Sequence, residues 1–475
     1  MEDMDTDESP KVRKRRIFRQ LCKVMQASLG TIMIGTLFTF PSVMTADLEE
    51  SDTTIYGTHI SLQGHDDMIG SLVMLGSLPG AWVTASVALR WRRRKSMIVL
   101  GVLAILGWLG VALLPSVIGI LISRCVSGVA MGGLAVVLSA YTAELADDQV
   151  RGTMSMVLNL GIMKGQLLTV CIGYGARYFV VALVLAIIPT LFLVALIWLP
   201  ESPALLVLKG EDEKAANILL KLRGKHADLQ AEMQTYKDMN HAKEEGPKWR
   251  GLIQKEVFRS LAIICSLMVI NTFSGYMVLN ANASRIFEGA GSTVNSELCT
   301  ILIMVVQFFA GMAGSLLMDR IGRKNILYMG FFLMSTGLVA LSIFVGVTQR
   351  HPGRSYKEDM SLLMESVTAP APVVIPGGWL PLACMMVAQS GVALGVNLMP
   401  FILAQEYFPT VIRSQASSIC YTVWTLGNFA VLQLYTPMLN TLDQSGLYGL
   451  YASVSALGIV FTALFVRETM GEKVG

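Results

Sequence analysis

The chain has 475 residues, of which 53% are hydrophobic and only 15% are charged, and its formal net charge is +3. A soluble globular chain carries about 25% charged residues, so this composition excludes an ordinary soluble domain. The net charge is small, and the basic residues gather in short blocks. This distribution excludes a nucleic-acid-binding surface and is typical of a protein with many membrane helices. The length accommodates about twelve helices of roughly 20 residues with their loops.

The apolar segments, taken in chain order, predict an all-α membrane protein with twelve transmembrane helices in two six-helix halves. The predicted divisions are a disordered tail at 1–19, a first half at 20–199, a helical linker at 200–254, a second half at 255–466 and a second tail at 467–475. The first membrane helix is predicted from about Val24 to Met44, and the linker contains a helical pattern from Ala215 to Met239.

Basic residues gather in the first tail, at 90–95, at 248–255 and at 320–324. If twelve helices alternate in direction, all four blocks fall on one side of the membrane. Because Lys and Arg are enriched in cytoplasmic loops, this pattern predicts that both termini are cytoplasmic. We therefore expect a multi-pass protein of the plasma membrane.

An acid and an arginine recur at the same spacing in both halves. Glu144 precedes Arg151 by seven residues, Glu406 precedes Arg413 by seven, and each member recurs 262 residues later. A shared offset in a long apolar chain indicates an internal repeat. An acid at the end of one helix and an arginine at the start of the next can pair in one conformation and separate in another, which favours a gate.

Five motifs resemble the sugar-porter branch of the major facilitator superfamily, and they follow in order along nearly the whole chain. They are Arg124-Cys-Val-Ser-Gly-Val-Ala-Met-Gly-Gly133 with Arg151-Gly152, Pro200-Glu201-Ser202-Pro203, Asp319-Arg320-Ile-Gly-Arg323-Lys324, Glu406-Tyr-Phe-Pro409 and Arg467-Glu468-Thr-Met-Gly471. Within that branch the chain resembles the insect facilitated trehalose and glucose transporters. The resemblance implies the major facilitator fold and transport by alternating access.

The resemblance also implies a cytoplasmic network of gating charges. Its expected members are Arg124, Glu144, Arg151, Glu201, Asp319, Arg320, Arg323, Glu406, Arg413 and Glu468. Within it, Glu201 and Glu468 are expected to partner Arg151 and Arg413. The first-half counterpart of Asp319-Arg320 falls at Leu89-Arg90-Trp91-Arg92-Arg93-Arg94, which has neither the acid nor the glycine. One half of the inner lock is therefore expected to be degraded.

A sugar site is expected near the middle of the membrane, between the two halves. Matching the family positions gives the candidate binding residues Asn159, Asn271, Thr272, Gln307, Phe401 and Asn428. Gln166 is added because it lies seven residues after Asn159 and so shares its face of helix five. Phe401 stands where the family has a stacking tryptophan, and the Ser274-Gly275 pair retained from the family predicts a break in helix seven. Helix–helix hydrogen bonding is the alternative role for each amide.

Lys164 is expected near the centre of the hydrocarbon core, about 17 Å from the start of helix five. A charge at that depth is costly, so a substrate or gating role is one hypothesis. On a regular helix, however, Lys164 points about 140° away from Asn159.

The predicted function is facilitative uniport of a hexose or a trehalose-like disaccharide by a monomer. No Asp or Glu is predicted at mid-depth in the apolar segments, so a proton relay is not expected. The alternatives are an organic-anion or polyol transporter, and a non-transporting sugar sensor. No catalytic triad, metal-ligand spacing or cofactor motif is found, and the seven scattered cysteines predict neither a disulfide nor a metal site. An enzyme is not expected.

Overall fold

The computed structural model is built from α-helices and describes residues 10–51, 53–60, 64–87, 91–147, 150–223, 232–234, 236–237, 254–289, 295–350, 378–408 and 412–469. The side chains of Arg151, Asp319 and Arg413, three members of the expected charge network, lie outside the described part.

Twelve long helices, labelled α1 to α12 in chain order, form the bundle within these residues. Their bounds are Pro10–Glu50, Asp66–Val87, Arg93–Leu113, Val117–Leu145, Arg151–Gly173, Tyr178–Trp198, Lys255–Ala281, Ser296–Ile321, Arg323–Arg350, Leu380–Glu406, Arg413–Gln433 and Tyr435–Phe465. Eleven are long and apolar enough to cross a membrane, and α11 is of similar length but richer in polar residues. The predicted order of twelve helices is confirmed.

Helix α1 begins at Pro10, so the prediction of a disordered tail is wrong for residues 10–19. The extension is held by Asp147, whose carboxylate lies 3.3 Å from the Arg16 guanidinium and accepts a hydrogen bond of 2.9 Å from Gln20. A solvated basic tail would not form a helix on its own, but here its charges have a fixed acidic partner.

Helix α7 is broken, as the Ser-Gly pair predicts. Its two segments are Lys255–Phe273 and Tyr276–Ala281, and Gly275 between them has φ of +82°. Glycine occupies this left-handed region without a steric penalty. A Cβ at Gly275 would also lie about 2.5 Å from the ring of Tyr451, so the break is fixed both by backbone conformation and by packing.

Glycines let pairs of helices approach until their backbones touch. A Cβ at Gly76 or Gly80 on α2 would lie 2.3 or 2.1 Å from carbonyl oxygens of α4, and one at Gly128 or Gly132 on α4 would lie 2.3 or 2.0 Å from carbonyl oxygens of α2. We call this reciprocal contact the α2–α4 seam. Small residues at such contacts are the usual means of close packing between membrane helices.

The two ends of the bundle differ in the segments that they carry. One end of the bundle holds Arg93, Glu144, Arg323 and Glu406. We call it the linker end, because the linker between α6 and α7 lies there, and we call the other end the opposite end. Linker helices are described at Pro203–Leu208 and Asp212–Arg223. The predicted linker helix thus begins three residues before Ala215, and its stretch at 224–231 lies outside the described residues.

Candidate functional site

Two matching charge groups lie at the linker end, one in each half. In the first, Arg93 Nη2 lies 2.7 Å from Glu144 Oε1. In the second, Arg323 Nε lies 3.3 Å from Glu406 Oε1. Arg93 begins α3 and Arg323 begins α9, and each pairs with an acid at the end of the following helix, so the two pairs occupy equivalent places in the two halves. The arginines are 230 residues apart and the acids 262, so the spacing between arginine and acid differs between the halves.

A second carboxylate completes each group by accepting backbone hydrogen bonds at a helix start. Glu468 accepts from the backbone N–H groups of Arg323 and Lys324 at 3.0 and 3.1 Å. Glu201 accepts from the backbone N–H of Arg94 at 3.4 Å. A negative charge at a helix N-terminus satisfies otherwise unpaired donors and opposes the helix dipole favourably.

The structure adds a partner that the sequence did not suggest. Arg93, in the basic run before α3, pairs with Glu144, and Glu201 lies against the start of the same helix. The first-half lock therefore keeps its acid–arginine pair although the run lacks an acid and a glycine. The expected pairings of Arg151 and Arg413 fall on side chains outside the described part and stay predictions. Arg320 is exposed at the end of α8.

Arg124 does not belong to this charge network, contrary to expectation. It precedes Glu144 by 20 residues on α4, which places it about 30 Å away along the helix. Its side chain is fully buried and donates hydrogen bonds to the carbonyl oxygens of Ile69 at 2.9 Å and Leu37 at 3.0 Å. Arg124 thereby joins α1, α2 and α4 near the opposite end.

The linker is fastened to the first half by ion pairs that the sequence pattern did not reveal. Arg223 lies 2.7 Å from Asp147, and Arg92 lies 2.6 Å from Glu211. Asp147 lies inside the repeated acid–arginine motif. Considering every acid of that motif as an ion-pair partner would therefore have pointed to Asp147. The second pair joins residues 119 positions apart and has no local signal.

Buried amides gather around the break in α7, in the second half. Asn271, Gln307 and Asn428 are at most 4% exposed and lie on α7, α8 and α11. Asn271 donates from Nδ2 to the carbonyl oxygen of Val396 in α10, and Asn428 donates from Nδ2 to the carbonyl oxygen of Trp424 at 2.8 Å. Three of the predicted site residues thus lie on helices that surround one break.

These three amides share one polarity. The side-chain oxygens of Asn271, Gln307 and Asn428 are buried and have no hydrogen-bond partner. A backbone carbonyl can only accept, so the orientation of Asn271 and Asn428, with nitrogen toward the protein, is fixed by chemistry. Buried acceptors without partners are rare in folded proteins, and they indicate hydrogen-bond donors supplied by something else.

The other predicted site residues of the second half have packing partners. Phe401 lies edge-on to Trp424, with ring centroids 5.3 Å apart, so the aromatic wall that sequence assigned to Phe401 includes an unpredicted indole. The Trp424 Nε1–H donates to the hydroxyl of Tyr276 at 3.1 Å. Thr272 is fully buried against Gly427 of α11, and its hydroxyl donates to the carbonyl oxygen of Met268.

The first half contributes Asn159 and Gln166 from α5. The Asn159 Nδ2 group is buried without a partner, and Gln166 is 6% exposed. Met163 of α5 packs against Gly311 of α8, and from this contact Gln166 and Gln307 lie about 5 and 6 Å toward the opposite end on facing helices. The two glutamines therefore stand at one level of the bundle.

Lys164 lies on a different face of α5. Its side chain is exposed, together with those of Leu168 and Cys171 at helical spacing, whereas Gln166 is buried. The angle predicted between Lys164 and Asn159 is consistent with these positions.

The described polar contacts that join the halves lie mainly at the opposite end. Arg285, which follows α7, lies 2.6 Å from Glu49 and 3.5 Å from Asp66. Asp67 accepts hydrogen bonds of 3.0 Å from both the backbone N–H and the hydroxyl of Thr436. We call these residues the latch. One further contact, between Trp82 and Thr422, lies closer to the linker end.

Two six-helix halves with polar groups buried among their membrane helices are typical of membrane transporters. The sequence matches the family described as "Sugar (and other) transporter" over residues 24–474, and the chain belongs to this family. It is a multi-pass membrane protein.

Two relatives are similar along nearly the whole chain. The facilitated trehalose transporter Tret1 of Culex quinquefasciatus is 27% identical over 460 residues, which cover 96% of this chain and 84% of the relative. The facilitated trehalose transporter Tret1-2 homolog of Drosophila sechellia is 28% identical over 467 residues, covering 96% and 89%.

Solved structures of the xylose transporter XylE from E. coli share the fold. The inward-open structure has a TM-score of 0.74 at 21% identity, covering 95% of this chain and 97% of XylE. A structure with bound 6-bromo-6-deoxy-D-glucose, described as a major facilitator superfamily proton:xylose symporter, has a TM-score of 0.73 at 22% identity, covering 96% and 98%. The chain therefore has the major facilitator fold, as the motifs implied.

Proposed function

We propose that this chain carries a neutral sugar, a hexose or a trehalose-like disaccharide, across the membrane by facilitated diffusion and alternating access. The observation that supports this most directly is the set of three buried carbonyl oxygens of Asn271, Gln307 and Asn428. Sugar hydroxyls are hydrogen-bond donors, and each buried acceptor that they satisfy removes a penalty of about 1–3 kcal/mol.

An organic anion fits this set poorly. A carboxylate only accepts hydrogen bonds, so beside the three oxygens it meets acceptor against acceptor. Lys164, the cation that motivated the anion alternative, lies on the exposed face of α5. A neutral polyol satisfies the same acceptors, so it is separated from a sugar by comparing uptake of a labelled polyol with uptake of trehalose and glucose.

Uniport is supported by the surroundings of Arg124 and by the positions of the acids. The solved structures that share the fold include a proton symporter. Here Arg124 contacts two backbone carbonyls and the ring of Phe40, and none of these groups takes up or releases a proton. The carboxylates of the described membrane helices lie near helix ends, from Asp47 and Glu49 on α1 to Glu406 on α10, except for Asp443. Asp443 is exposed and lies at a kink in α12, where the backbone is not helical. A proton relay requires a titrating group near the site.

Transport is favoured over a sensor role by the intact pair of Arg93 and Glu144. Loss of the first-half lock was the reason to consider a sensor, and the structure retains that charge pair. From the basic blocks we assign the linker end to the cytoplasm of a plasma-membrane protein, with both termini on that side and a monomer as the working unit.

The test is uptake of labelled trehalose and glucose into liposomes that contain the purified protein. We expect uptake that stops at the external concentration and is insensitive to an imposed proton gradient. Accumulation that a protonophore abolishes contradicts uniport, and the absence of any sugar flux contradicts transport.

Two variants separate a sugar from an anion in the same assay. Asn428→Ala is expected to weaken sugar transport about tenfold, because a buried hydrogen bond to the substrate is lost. Lys164→Met is expected to remain within about twofold of the unmodified chain, because Lys164 lies on the exposed face of α5 whereas Gln166 is buried. Loss of uptake in Lys164→Met, with competition by carboxylates but not by hexoses, overturns the sugar proposal.

A further inference from the structure

Gln389 lies on α10 and is fully buried, and no sequence pattern singled it out. Its Nε2 group donates to Asn280 Oδ1 on α7 at 2.8 Å, and its Oε1 accepts from Gln307 Nε2 on α8 at 3.5 Å. One side chain therefore links three helices of the second half through a chain of three amides.

The amide chain has a direction. Each link joins an amide nitrogen to the oxygen of the next amide, from Gln307 through Gln389 to Asn280. An amide that points its nitrogen at a neighbour turns its oxygen away from that neighbour, and the nitrogen keeps one further N–H. At the free end of the chain that oxygen is Gln307 Oε1, which is buried and unpartnered.

We propose that Gln389 is a positioning residue that turns the Gln307 amide so that its oxygen, and not its nitrogen, meets the substrate. The inference rests on the proposed function, because it concerns how the sugar site recognises its ligand. Asn271 and Asn428 support it independently, since backbone carbonyls fix their nitrogens toward the protein and leave their oxygens free. The second half thus presents acceptors to the substrate.

This polarity sets a requirement on the ligand. At each position that contacts one of these unpartnered amide oxygens, the substrate must supply a hydroxyl hydrogen. A deoxy sugar has no donor there, and a deoxyfluoro sugar has only a weak acceptor in its place. We therefore expect both analogues to compete about equally poorly with the parent sugar, each weaker by about two- to tenfold at a contacted hydroxyl.

Variants of Gln389 test its positioning role. In Gln389→Leu the Gln307 amide is released and can turn its nitrogen toward the substrate. The fluoro analogue is then expected to compete better than the deoxy analogue at one hydroxyl position, by about two- to tenfold. In Gln389→Glu the buried carboxyl becomes protonated, donates to Asn280 and accepts from Gln307, so the ranking of the unmodified chain is expected to persist.

Gln405→Leu is the matched control, because it makes the same change on the same helix at an exposed position that contacts Ser417. The experiment measures competition by the deoxy and deoxyfluoro forms of glucose at each hydroxyl, in liposomes, for the unmodified chain and each variant. If Gln389→Leu does not fold, Asn280→Leu is used in its place. This variant removes the acceptor at the far end of the amide chain and so releases the Gln389 amide.

The outcomes separate this inference from the proposed function. No sugar flux in the unmodified chain removes the proposed function. Sugar flux with fluoro analogues that already compete better than deoxy analogues overturns the acceptor polarity. A ranking that is the same in the unmodified chain and in Gln389→Leu, or Asn280→Leu, overturns the positioning role of Gln389.

Discussion

Removing Arg285 from the latch is expected to make the opposite end open more often. Its guanidinium lies 2.6 Å from Glu49 and 3.5 Å from Asp66, and both carboxylates belong to the other half. The Arg285 side chain is 19% exposed but that of Glu49 is 46% exposed, so solvent screens the pair. We therefore estimate about 1 kcal/mol for its contribution, which corresponds to about a fivefold change in the ratio of open to closed molecules.

The assay is the labelling of a cysteine buried between the halves. Ser42 on α1 is 1% exposed, and its hydroxyl lies 3.2 Å from that of Ser284 across the contact. In a chain whose seven cysteines are replaced, Ser42→Cys reacts with a membrane-impermeant maleimide only when the halves separate there. Arg285→Ala is expected to raise the labelling rate about fivefold.

Arg259→Ala is the control, because it removes an exposed arginine near the linker end of α7. Equal labelling rates in Arg285→Ala and Arg259→Ala would refute the latch. A rate that falls in Arg285→Ala would also refute it, since the ion pairs would then be opposing closure.

The other predictions concern packing, pH and the charge groups. Gly80→Leu is expected to lower the melting temperature sharply, because its Cβ would lie 2.1 Å from a carbonyl oxygen of α4, whereas Gly152→Leu, with nothing within 4 Å, is expected to change it little. Burial and a neighbouring glutamate raise the pKa of Glu288 when the latch is closed. Acidification is therefore expected to favour closure and slow cysteine labelling, and Glu288→Gln is expected to weaken this pH dependence. Glu406→Gln is expected to reduce uptake several-fold without changing the substrate ranking.

Hydrophobic patterning was sufficient to predict the order of the helices, because a membrane span must be about 20 apolar residues long and internally hydrogen-bonded. The break in α7 followed from Ser274-Gly275, since only glycine occupies φ of +82° without strain. The direction of Lys164 followed from the helical period. These features are local, so the sequence contains them directly.

Pairing between distant residues was not predictable in the same way. The regular spacing pointed to Arg151 as a partner of Glu144 and gave no sign of Arg93, which pairs with Glu144 from 51 residues earlier in the chain. The side chain of Arg151 lies outside the described residues, so that pairing stays a prediction. Arg124 was assigned by its motif to a network about 30 Å from its actual position along α4. Gln389 and Asn280 stand 109 positions apart, and neither lies in a recognisable motif. Such contacts depend on which helices become neighbours, and spacing along one chain does not contain that information.

The α2–α4 seam has a mechanical consequence. Where backbones touch through glycine no layer of side chains lies between the helices, so we expect α2 and α4 to rotate together as one stiff unit. Helix α4 has 29 residues and is therefore about 43 Å long. If the unit pivots near its middle, a tilt of roughly 10° moves each tip by about 4 Å, farther than the length of a hydrogen bond. A small rotation of this unit that begins at one face of the membrane therefore displaces the contacts at the other face by the same angle.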